Sequence, residues 1–169
     1  MNTQKIAELL RQMADEFELG KSEYRTIHIP KGLTIEQAYT ECVKLFPCWR
    51  WTNDDLDALV TSDRTSNQAY SVQVRNRVEA DEELKNLSAN QLQKQGIKGI
   101  TLLERLVLEL DYFKETGQYL DVINTTLCSG SRSSDGDVPR VGWRDGGLGV
   151  SWCGPDRSDG SLRAREVDS

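Results

Sequence analysis

The chain has 169 residues, 37% of them hydrophobic and 28% charged, with a net charge of −6 and a pI near 4.9. That is enough apolar material for one core, but the richest apolar run, Ile100 to Leu110, is broken by Glu104, Arg105 and Glu109 and falls short of the ~20 residues a membrane helix needs. The acidic balance argues against nucleic acid as a partner, because such binders need a basic excess to release counterions. The first residues lack the basic-then-apolar order of an export signal, so the expectation is a cytoplasmic protein with reduced thiols.

Ile6, Leu9, Leu10, Met13 and Phe17 recur at helical spacing and predict an amphipathic helix from Thr3 to Glu18, with Gly20 as its stop. Thr26 to Ile29 predicts a short strand ended by Pro30. Thr34 and Gln37 form a capping box ahead of a helix to Leu45 that carries Ile35, Ala38, Cys42 and Leu45 on one face. Phe46 to Trp51 reads as an aromatic turn that plugs this helical part onto the rest. Asn53, Asp54, Asp55 and Asp57 lack the glycine and terminal glutamate of a calcium loop and read as an acid-rich helix N-terminus. Tyr70, Val72, Val74 and Asn76 alternate with Ser71, Gln73, Arg75 and Arg77, as in a half-buried strand.

Two further capping boxes, Ser88 with Gln91 and Thr101 with Glu104, predict a short helix to Gly96 and a longer one from Leu102 to Lys114. The second is the most apolar helix and is expected at the centre, ended by Gly117. Strands are predicted at 124–128, 138–143, 148–153 and 162–167. The order is that of an α+β fold with an antiparallel sheet. A mainly helical N-terminal region, residues 1–65, precedes a domain at 66–169.

Chemistry-bearing residues are few. The four cysteines, Cys42, Cys48, Cys128 and Cys153, include no C-x-x-C pair. The single histidine, His28, reads as the outward residue of its strand, so no catalytic triad is expected. No metal or other cofactor is called for.

The segment from Cys128 onward is different. Gly, Ser, Asp and Arg make up 28 of its 42 residues, and of Lys, Gln, Glu and Met it holds a single example, Glu166. Composition alone reads as an unordered tail. Against that, Val141, Trp143, Leu148, Val150, Trp152 and Leu162 have the spacing of buried strand positions. The residues between them would then form a display surface over about 138–165. Its expected ligand contacts are Arg140, Arg144, Asp145, Ser151, Cys153, Asp156, Arg157, Ser158, Asp159 and Ser161. Arg, Asp, Ser and Gly suit adaptable hydrogen bonding, as in antibody-type loops.

The element order, with Cys128-Ser-Gly-Ser-Arg132, Val141-Gly-Trp143-Arg144, Gly149-Val-Ser-Trp152 and Leu162-Arg-Ala-Arg165, resembles the C-type-lectin-like variable proteins of diversity-generating retroelements over residues 66–169. The resemblance implies a lectin-like antiparallel sheet with two helices. It also implies a C-terminal segment rewritten by adenine-directed mutagenesis, in which the rewritten codons usually end in a pyrimidine and so cannot encode Lys, Gln, Glu, Met or Trp. Trp143 and Trp152 would be fixed scaffold positions. The Glu-Pro-Asn, Gln-Pro-Asp and Trp-Asn-Asp motifs of calcium-dependent sugar-binding lectins do not occur after residue 66. The formylglycine-generating enzymes share the scaffold and use two C-terminal cysteines, for which Cys128 and Cys153 are the only counterparts here.

The expectation is therefore a non-catalytic module that binds a protein or other macromolecule, without cofactor, nucleic acid or membrane. One alternative is an interaction or structural protein with a helical core and an unordered tail. The other is an oxidoreductase similar to the formylglycine-generating enzymes.

Overall fold

The computed structural model describes residues 2–20 and 22–168; the side chains of 14–20 lie outside that description. In chain order the elements are α1 (Thr3–Gly20), β1 (Tyr24–Ile29), α2 (Ile35–Leu45), β2 (Cys48–Arg50), α3 (Leu56–Leu59), β3 (Val60–Ser62) and β4 (Tyr70–Arg75). There follow α4 (Ala89–Lys94), α5 (Leu102–Thr116), β5 (Thr125–Leu127), β6 (Ser131–Ser133), β7 (Val138–Arg144), β8 (Gly147–Cys153) and β9 (Leu162–Ala164). The fold is α+β.

Local signals set the helix starts. All three capping boxes form: Thr34, Ser88 and Thr101 each accept the N–H three residues on, and Gln37, Gln91 and Glu104 reach back. Gly117 ends α5 with φ of +70°, a conformation that glycine adopts without strain. Two of the acids at 54–57, Asp55 and Asp57, are capping groups. Asp55 caps α3, and the Asp57 carboxylate accepts the Ile35 and Glu36 N–H groups at the start of α2.

Helix α5 is buried on all sides over Leu102–Leu110, with α2 and the β1–β4 ribbon packed on it and the larger sheet beside it. That sheet runs β2-β8-β7-β5-β9. The expected all-antiparallel arrangement is corrected here: β8, β7 and β5 are antiparallel, but β2 joins β8 and β9 joins β5 in parallel. The aromatic turn expected at 46–51 contains an edge strand, because Cys48–Arg50 adds to the exposed edge of β8. Strands from both sides of residue 65 pair in each of the three sheets: β1 with β4, β2 with β8, and β3 with β6. Residues 128–168 supply β6 to β9.

Trp143 and Trp152 are half-buried against the main core. Trp143 stacks on Tyr119 with centroids 3.7 Å apart and meets Phe46 edge-on at 5.9 Å. On α1, Ile6, Leu9, Leu10 and Met13 are 44–64% exposed, so this apolar stripe has no cover among the described residues. Phe17, expected on the same stripe, lies outside the described side chains, and α1 continues through Gly20. Leu45, expected on the buried face of α2, is exposed.

A buried ionic cluster that sequence patterning does not reveal holds β5 and the last strand to α5. Arg105 and Glu109 from α5, Asp121, and Arg165 are all essentially inaccessible. Arg105 donates to Glu109 at 2.7 Å and to Asp121 at 2.9 Å, and Arg165 donates to the other Asp121 oxygen at 2.9 Å. Thr126 donates its hydroxyl to Asp121, and Arg165 also reaches the carbonyls of Arg77 and Val78. Two carboxylates meet two guanidiniums, so no charge is left uncompensated. Burial alone would raise the Asp121 carboxyl, but Arg165 and Arg105 outweigh it and hold it below its ordinary value.

Candidate ligand-binding surface

The β7–β8 hairpin sets the geometry. Its two-residue turn is Asp145-Gly146, with φ of +52° and +77°, matching the Asp-Gly preference of tight hairpin loops. The register pairs Arg140 with Ser151, Gly142 with Gly149, Arg144 with Gly147, and Val138 with Cys153. Residues opposite one another share a face. One face therefore carries Val141, Leu148 and Val150 into the main core, and the other carries Arg140, Gly142, Arg144, Ser151 and Cys153.

That second face is divided. At one corner Val138 and Cys153, with Leu127, Leu162 and Ala164, pack against Leu84, Ala89 and Leu92 to make a second core. Cys153, expected as a displayed residue, is 6% exposed. Its alternation is as expected, but the segment from Leu84 to Ile97 covers its end of the strand. Burial pushes the Cys153 thiol up. Cys128 lies in the main core and Cys153 in the second one, and both are free thiols.

The other corner is open. Trp49, Trp51, Arg140, Arg144, Asp145 and Ser151, with Thr125, Gly142 and Gly149, line a groove of about 160 Å³. Trp49 packs directly over Gly149, where a Cβ would lie 2.1 Å from the indole Cζ2, so only glycine admits the ring. The Trp49 Nε1 donates to the Arg144 carbonyl at 2.9 Å. Trp51 continues past β2, its N–H on the Val150 carbonyl, and is 70% exposed. Arg140 Nε donates to Ser151 Oγ at 3.0 Å and Arg144 Nη2 to Thr125 Oγ1 at 2.8 Å. Among the described residues neither arginine has a carboxylate within 4.0 Å, and Asp145 at the rim is in no ion pair.

Of the expected contacts, Arg140, Arg144, Asp145 and Ser151 thus come together, although Ser151 is largely covered at 8% exposure. Asp156, Arg157, Ser158, Asp159 and Ser161 lie on the loop between β8 and β9 and do not line the groove. That loop is ordered by its own bonds: Asp156 accepts from Asn90, and Asp159 accepts from the Ser161 hydroxyl and N–H and lies 3.8 Å from Arg157. The Ser161 hydroxyl holds the Asp159 carboxyl below its ordinary value despite partial burial. The sequence places Trp49 and Trp51 in an aromatic plug. Only the pairing of β2 with β8 carries them to this surface.

His28 points outward from β1 with Nδ1 2.7 Å from Ser71 Oγ. Among the described residues no three His, Cys, Asp or Glu side chains are grouped as metal ligands, and no helix is long and apolar enough to cross a membrane. No protein-family model matches the chain, and comparison with curated proteins and with solved structures gives no significant match.

Proposed function

We propose that this protein is a non-catalytic binding module of C-type-lectin-like architecture, related to the variable proteins of diversity-generating retroelements. Its ligand side chains stand on the open corner of the five-stranded sheet. The observation that carries the reading is the composition of that corner: two indoles and two arginines without carboxylate partners, on strands whose opposite face is core. Trp and Arg are the side chains most often found at binding hot spots. Each arginine is tethered by one hydroxyl, so less freedom is lost when a ligand docks.

The expected partner is a protein or another macromolecule, with no cofactor. The loop at 154–161 offers a second set of exposed groups, Asp156, Arg157 and Ser158, for a ligand large enough to span both. A display scaffold tolerates change at its ligand positions. A library varied at Arg140, Arg144, Asp145 and Ser151 should melt near the parent in most members and yield binders on selection. A library that is mostly unfolded would overturn the reading. The family assignment is tested by gene surroundings: a reverse transcriptase beside a near-copy of the segment encoding 138–165 supports it, and their absence counts against it.

A further inference from the structure

We propose that the groove beside Trp51 is an oxyanion site, taking a carboxylate, phosphate or sulfate group on Arg140 and Arg144 from a ligand whose ring or apolar part rests on Trp51. The inference deepens the binding-module reading and rests on it.

The charge pairing of the rest of the molecule gives the reason. In a chain with 27 acidic side chains against 21 basic ones, most guanidiniums of the described residues find carboxylates, while Arg132 and Arg163 donate only to backbone carbonyls. Arg25 has Glu115, Arg50 has Glu36, Arg64 has Glu104, Arg75 has Asp81 and Arg77 has Glu83, each at 2.6 or 2.7 Å. Arg140 and Arg144 line one groove and have only a hydroxyl each. A guanidinium carries five N–H donors. Arg140 uses Nε on Ser151, which leaves both Nη groups without an acceptor among the described residues; Arg144 uses Nη2 alone. Asp145 lines the same groove but pairs with neither arginine, so an anion seated there can still fill their vacant donors. Arginine forks match the planar oxygens of carboxylate and phosphate. The exposed Trp51 ring offers an apolar surface at the same groove.

The test is a calorimetric and tryptophan-fluorescence titration of the full chain with phenyl phosphate, benzoate, inorganic phosphate and, as the cationic counterpart, benzylamine. Saturable binding of the anions and none of benzylamine is expected, and the tighter of phenyl phosphate and benzoate identifies the anionic group. Arg140→Gln and Arg144→Gln should each weaken the anions by about tenfold or more, the usual scale of a hydrogen bond to a charged group. Trp51→Ala should weaken phenyl phosphate and leave inorganic phosphate unchanged. Anions that do not saturate, or Arg variants that bind as tightly as the parent, overturn the proposal. Thermal melts separate the two failures. Arg variants that melt like the parent while no anion binds remove only the anion assignment. Arg variants that unfold remove the binding-surface reading as well.

Discussion

The outer face of the five-stranded sheet is apolar and covered where Leu127, Val138, Cys153, Leu162 and Ala164 meet the segment from Leu84 to Ile97. The same face, on the same strands, is polar and open where Arg140, Arg144 and Ser151 meet Trp49 and Trp51. Strand alternation assigns a side chain to a face. What lies over that face is decided by segments far away in sequence. The covered corner is stability and the open corner is available chemistry, although β7 and β8 pass through both.

Substitutions should separate the two corners by the size of their effect. The largest is expected beneath both, at the ionic cluster that anchors the sheet. Asp121→Ala leaves Arg105 and Arg165 facing one carboxylate and should cost about 3–5 kcal/mol in chemical denaturation. The same carboxyl predicts how the protein responds to acid. Its folded pKa is lowered, so its stabilisation is present above the unfolded value near ~3.9 and is lost as pH falls through the lower folded value. Acid unfolding should therefore include a component below the ordinary carboxylate range, absent in Asp121→Asn.

In the covered corner, Leu127→Ala should cost about 2–5 kcal/mol in the same denaturation experiment. At the boundary, Gly149→Ala forces a methyl into the Trp49 ring and should cost about 1–3 kcal/mol. Displacement of the indole from the Arg144 carbonyl should also shift the emission spectrum. In the open corner, Arg144→Ala should change stability by no more than about 0.5 kcal/mol. An Arg144→Ala cost matching that of Leu127→Ala would erase the distinction between the corners.

The features legible in the sequence are those encoded within a few residues. The capping boxes at Thr34, Ser88 and Thr101 need only the residue three positions on, and all three form. The period-two pattern of Val141, Leu148 and Val150 marks the inward face of the hairpin. Cys48–Arg50 is too short to show alternation; it is a strand only because β8 offers it an edge. The candidate site was half legible for the same reason. Arg140 and Arg144 follow from alternation, whereas Trp49 and Trp51 arrive through that long-range pairing, and Cys153 is removed by a cover that alternation does not encode. Glu104, Arg105 and Glu109 looked like interruptions of an apolar helix. They are buried because partners come to meet them from elsewhere: Arg64 pairs with Glu104, Asp121 pairs with Arg105, and the Leu120 N–H donates to Glu109.

Arg165 lies 44 positions after Asp121, its partner. During synthesis the interior would hold Asp121 and Glu109 against Arg105 alone until Arg165 leaves the ribosomal tunnel, and β8 and β9 emerge scarcely earlier. The same short segment, β9 with Arg165, completes both the edge of the sheet and the neutralisation of its charged centre. Products stalled ahead of this arginine are expected to go to proteolysis rather than persist as a partial domain.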